Sequence, residues 1–132
     1  MKRLFLVFIL QLAILSIYAD TGFVFRGKIG NYPIEMTIWA TATSVVGDYY
    51  YLSQGKNNKI ELDGNVEPDS SDDIWIIKET VDYFFNGFFR LKWDRWSEEG
   101  QKVITGEYIN TKLKHFSVSL KCVKIMSNPE HC

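Results

Sequence analysis

The side chains of this chain best suited to bond making are two histidines, two cysteines and a scatter of carboxylates. Nucleophilic catalysis needs a base oriented against a Ser, Cys or Thr, and histidine is the usual base. His115 opens the last alternating stretch on its polar side, and His131 stands beside Cys132 in the tail. Neither falls in a nucleophile motif, so both read as solvated surface residues. Zinc would need three or four His, Cys or acidic ligands at suitable spacing, and pairing of Cys122 with Cys132 would remove both sulfurs. Glycoside cleavage takes two carboxylates across a cleft, with Glu35, Glu79 and Glu107 as candidates. Each alternates with apolar neighbours, which points it to solvent. The expectation is no catalytic residue, no cofactor and no metal.

Two polar segments are better suited to contact than to chemistry. In Asp94-Arg95-Trp96-Ser97-Glu98-Glu99-Gly100 a Trp flanked by charges has no obvious core to fill. Trp and Arg are enriched where interfaces concentrate binding energy; the competing reading folds Trp96 back over the end of the domain as a plug. The acidic interval Glu67-Pro68-Asp69-Ser70-Ser71-Asp72-Asp73 suits a basic protein surface or calcium, or is simply a solvated loop. It lacks the ligand order and central Gly of an EF-hand. Asp94, Arg95, Trp96, Asp69, Asp72 and Asp73 are therefore the candidate partner-binding residues. Trp39, Trp75 and Tyr50 either form a small exposed aromatic patch or are covered by a neighbouring loop.

The elements that must position these residues are strands. After residue 22 the dominant pattern is alternation with a period of two, and no helical period is sustained over ten residues. Phe23, Phe25, Gly27 and Ile29 share one face, as do Tyr32, Ile34, Met36 and Ile38, with Gly30-Asn31 as a tight turn between them. Val45 to Leu52 is a third strand, and Ile60 with Leu62 a short fourth that stops at Asp63-Gly64-Asn65. Ile74 to Thr80 is a fifth. In the sixth, Phe84 to Trp93, the residues Phe85, Gly87, Phe89, Leu91 and Trp93 share a face, and Gly87 marks a bulge or a close backbone approach. Val103 to Ile109 and His115 to Cys122 complete the set. Eight short strands leave two unpaired edges unless the sheet closes, which predicts an all-β, antiparallel up-and-down meander barrel, with a two-sheet sandwich as the alternative.

Phe25-x-Gly27-x-Ile29, Tyr32-x-Ile34-x-Met36, Gly47-x-Tyr49-Tyr50-Tyr51, Ile60-x-Leu62-x-Gly64, Gly87-Phe88-Phe89 and Ile104-Thr105-Gly106-x-Tyr108 follow one another along the chain. This pattern resembles small exported bacterial β-meander domains of the avidin-like kind. The resemblance implies a barrel and carries no active site across. Ser44-x-x-Gly47-x-Tyr49 is distantly similar to the Ser-Gly-x-x-Tyr loop of the C-type lysozyme inhibitors. Here Ser and Gly are not adjacent, so no inhibitory residue transfers.

At the N-terminus, Lys2 and Arg3 precede the apolar run Leu4 to Tyr18, which ends on the small Ala19. That is the form of a secretory signal, and the run is shorter than the about 20 residues of a spanning helix. Cleavage after Ala19 leaves residues 20–132 as one β domain, periplasmic or secreted, and moves the formal charge from -1 to -3 by removing two cations. No dense run of Lys or Arg favours nucleic acid or an anionic membrane as partner. In an oxidising compartment Cys122 and Cys132 would form a disulfide tying the tail to the last strand; an intermolecular bridge and free thiols are the alternatives. The leading functional expectation is a non-enzymatic protein-binding module, an inhibitor or immunity protein against an envelope-acting toxin or enzyme. The alternative is a carrier holding a small apolar ligand in the barrel mouth.

Overall fold

The computed structural model describes residues 21–68, 73–96 and 102–126. The expected signal segment, Asp69, Asp72, His131 and Cys132 lie outside the described residues. Eight strands follow in order: β1 (Thr21–Ile29), β2 (Tyr32–Ala40), β3 (Ser44–Tyr51), β4 (Ile60–Pro68), β5 (Asp73–Val81), β6 (Phe84–Trp96), β7 (Lys102–Asn110) and β8 (His115–Ile125). Each pairs antiparallel with the next. β8 returns to β1, from Phe23 opposite Ile125 to Ile29 opposite Val118, so the sheet is a closed up-and-down barrel and the sandwich is set aside. Closure leaves no edge strand to template aggregation.

Alternation explains the core. Phe25, Ile34, Met36, Ile38, Val45, Tyr49, Leu62, Ile77, Phe89, Leu91, Ile104 and Leu120 point inward and are buried. An interior of eight strands is just wide enough for side chains to fill, and these fill it. Phe23, Phe25, Trp75 and Trp93 meet in tilted and edge-on ring contacts with centroids 5.4–6.2 Å apart at one end of this core.

Three strand readings change. β4 does not stop at Asp63 but runs on to Pro68. Gly64 faces inward there, and a Cβ on it would run into the Ile76 carbonyl oxygen of β5; it permits a close strand approach rather than ending a strand. In β6 the predicted bulge is present, because Glu79 is opposite Gly87 while Thr80 is opposite Phe85, leaving Asn86 as the extra residue. One inserted residue reverses which face each neighbour occupies, so Phe85, expected inside, is exposed. Gly87 also meets its other expectation, since a Cβ would strike the Tyr108 hydroxyl. Lastly, Trp75 shares its face with Ile77 and is 4% exposed, so the aromatic patch expected with Trp39 and Tyr50 does not form.

The barrel has two poles. At the hairpin pole lie the turns 30–31, 52–59, 82–83 and 111–114; at the terminal pole lie the connection 41–43, the end of β4 beside the start of β5, the end of β6 beside the start of β7, and Thr21 and Met126.

Candidate functional site

The carboxylates expected on the outside divide. Glu35 and Glu107 do face outward. Glu35 takes a 2.8 Å bond from Arg26 Nε and a 2.6 Å bond from the Tyr50 hydroxyl. Partial burial pushes its pKa up, but the Tyr50 and Arg26 contacts outweigh that and hold it below the usual carboxylate value. Glu107 lies 2.7 Å from His115 Nδ1 on the solvated surface.

Glu79 is the correction. It follows Trp75 and Ile77 on the inner face of β5 and is 2% exposed. The hydroxyls of Tyr49 and Tyr108 and the Asn86 amide all donate to it, Tyr108 at 2.6 Å. Alternation alone put it outside because a Glu between Lys78 and Thr80 looks solvated; what brings it in is the inner-face parity of Trp75 and Ile77. The bulge then lets the amide of Asn86, itself an exposed residue, reach it. Burial first, and then the Glu79 charge and hydrogen bond, push the Tyr49 phenol far above its ordinary pKa, and Tyr108 shifts the same way. Both therefore stay as donors. With three donors on its two oxygens Glu79 serves as an internal clamp between β3, β5, β6 and β7, and no described buried side-chain polar atom lacks a partner.

Of the expected partner-binding residues, Asp73, Asp94, Arg95 and Trp96 stand on neighbouring strand ends at the terminal pole, while Asp69 and Asp72 lie outside the described residues. Ile74 is opposite Lys92, which sets the start of β5, with Asp73, alongside the end of β6, with Asp94, Arg95 and Trp96. Asp94 is exposed, and Trp96 pairs through its backbone with Lys102. A shallow hollow of about 450 Å³ is lined there by Lys92, Trp93, Asp94 and Thr105. A second, of about 260 Å³, opens over Phe23, Val66, Trp75 and Trp93. In the sequence the segments 69–72 and 97–101 hold Asp69, Asp72, Glu98 and Glu99 and no Lys or Arg, and both segments lie outside the described residues.

The hairpin pole was not singled out by the sequence reading, and it is unusual. Tyr83 is 100% exposed, Phe84 77% and Leu113 75%, with Tyr32, Leu52, Val81 and Phe85 also exposed around them. Tyr83 has φ 70° and Leu113 φ 61°. Both conformations suit Gly, and a side chain there costs about 1 kcal/mol or more. The two-residue turn at Asp82-Tyr83 has positive φ at both positions, as tight hairpins require. The Asn110 side chain accepts from the amides of Lys112 and Lys114, 3.0 Å each, to fix the turn that carries Leu113. A signal was present in Val81-Asp82-Tyr83-Phe84-Phe85, whose apolar run spans a turn.

Among the described residues no group of three His, Cys, Asp or Glu is placed to hold a metal ion. Cys122 is buried on the inner face of β8, and the cross-link expected from it reaches to a residue outside the described ones. Compared with known family models, curated proteins and solved structures, the chain matches none.

Proposed function

We propose that this protein is a non-enzymatic binding module working outside the cytoplasm, an inhibitor or immunity protein whose partner is another protein met at the terminal pole. The observation that carries the reading is the juxtaposition of Asp73 on β5 with Asp94, Arg95 and Trp96 on β6. Acids beside an Arg and a Trp on adjoining strand ends, in a chain whose segments 69–72 and 97–101 are acid-rich in sequence, suit a basic protein face: charge steers the encounter and sets register, while Arg and Trp are the residue types that anchor interfaces. The rest of the molecule supports a rigid scaffold. Its interior is filled, and the one carboxylate buried among the described residues, Glu79, is engaged by donors from the protein itself.

The test is affinity capture from envelope extracts with the exported chain against Trp96→Ala and Asp73→Lys/Asp94→Lys. A partner retained by the parent and lost by both variants is expected. Identical capture by all three, or no protein retained, refutes the reading. A second reading, a carrier for a small apolar ligand, is favoured by the hollow over Phe23, Trp75 and Trp93. It predicts that apolar ligands change the intrinsic Trp fluorescence, and an unchanged spectrum across a ligand panel removes it.

A further inference from the structure

We propose that the hairpin pole is a docking surface for an anionic lipid bilayer, with the aromatic tip of the β5–β6 hairpin entering the interface and lysines of neighbouring loops meeting the headgroups. This goes beyond the protein-binding reading and does not depend on it, since the two use opposite poles.

Three observations converge on it. First, apart from Trp39 and Val46, the exposed large apolar side chains among the described residues gather at one pole: Tyr83 and Phe84 stand at a two-residue turn, with Leu52, Phe85 and Leu113 on the same end. Apolar surface of this kind marks an interaction site, and a convex aromatic tip suits the boundary where rings sit half in hydrocarbon and half in water. Second, the hairpin-pole loops carry Lys56, Lys59, Lys112 and Lys114 against Asp82 alone, a formal +3 from four cations and one anion. All four lysines are exposed. The next strand residues outward, Lys28 and Glu61, cancel. At the described strand ends of the terminal pole Glu67, Asp73 and Asp94 are matched by Arg95, Lys102 and Lys124, so the field of an anionic surface favours the hairpin pole. Third, Tyr83 and Leu113 hold left-handed backbone conformations that glycine would adopt without strain, and neither side chain is packed away from water in return. The turn geometry and the Asn110 bonds hold the backbone there but give no use inside the fold to a Tyr or Leu side chain in place of glycine, and strained residues of this sort cluster at functional sites.

A bilayer fits these features better than a protein pocket does. The cations lie on two loops flanking the hairpin rather than in one recess, as a flat charged plane requires. The tip offers the exposed rings of Tyr83 and Phe84, the first with a hydroxyl that suits the headgroup side of the interface.

The experiment is cosedimentation of the secreted chain with vesicles of phosphatidylcholine alone, or of equal parts phosphatidylcholine and phosphatidylglycerol. Binding to the anionic vesicles only is expected, weakening as salt shortens the screening length toward about 10 Å and below. Each lysine near an anionic surface contributes about a fivefold factor in affinity, so Lys56→Gln/Lys112→Gln should bind about 25-fold more weakly. Tyr83→Gly/Leu113→Gly should lose about tenfold or more in binding while unfolding at higher urea than the parent, which separates lost docking from lost fold.

Orientation is read separately. Trp39, Trp75, Trp93 and Trp96 all stand at the strand ends of the terminal pole. Bromine-labelled lipid should therefore leave native Trp emission unchanged and quench a Trp introduced as Phe84→Trp. No binding to anionic vesicles at low salt overturns the proposal, including where an acidic soluble protein binds this pole instead. Binding that the Tyr83→Gly/Leu113→Gly change leaves intact, or quenching of the native Trp residues, overturns it as well.

Discussion

Replacing Glu79 by Leu should destabilise the barrel severely, and removing its donors together with it should restore most of the loss. Glu79 accepts from the buried hydroxyls of Tyr49 and Tyr108 and from Asn86. Without the acceptor, both hydroxyls stay inside a filled core. A buried polar group left without its partner costs about 1–3 kcal/mol, so the two together amount to about 2–6 kcal/mol. The Tyr108 hydroxyl can fall back on the Asn86 carbonyl 3.3 Å away, which favours the lower half of that range. In Glu79→Leu/Tyr49→Phe/Tyr108→Phe no orphan hydroxyl remains. An apolar replacement of a buried polar cluster is commonly neutral or better, so the triple variant should lie within about 1–2 kcal/mol of the parent. The assay is urea unfolding of the parent, the three single variants and the combinations, analysed as a mutant cycle. Costs that simply add, with the triple variant the least stable of the set, would mean that Glu79 is not the hub of this network.

Three further outcomes follow from the same structure. Because the Tyr49 and Tyr108 pKa values are raised above the ordinary 10.0, the unfolded chain sheds their protons first; stability is fully present below pH 10 and declines as pH rises beyond it. A urea midpoint that held steady or rose above pH 10 would contradict this. Gly64→Val should cost about 2 kcal/mol or more by forcing β4 and β5 apart at Ile76, measured as a lower urea midpoint with unchanged barrel circular dichroism at low temperature. If Cys122 and Cys132 pair as expected from their sequence, the secreted chain gains two mass units on reduction. Cys132→Ser then loses about 2–3 kcal/mol, as a loop of this size predicts; an equal mass before and after reduction refutes the pairing.

The alternation of apolar and polar residues was enough to count the strands, to place most of their inner faces and to put the meander barrel ahead of the sandwich, which only the pairing of β8 with β1 set aside. Residues such as Ile34, Met36 and Ile38 have one side to bury and neighbours two positions away with the same need, which is local information. The Gly30-Asn31 turn and the bulge at Gly87 were legible for the same reason. What the pattern could not supply was anything set by pairing across the barrel. The bulge inverts the faces of Phe85 and Asn86, and its position depends on the register of β5 against β6. Glu79 reads as a surface acid until Tyr49, thirty residues earlier, and Tyr108, twenty-nine later, are brought to it. The charge of the hairpin pole was hidden in the same way. Lys56, Lys59, Lys112 and Lys114 form no run along a mildly acidic chain, and only closure of the sheet brings the turns that carry them to one end of the barrel. Local patterning determines which way a side chain faces along its own strand, whereas electrostatics and buried hydrogen bonds depend on distance in space, which strand register alone decides.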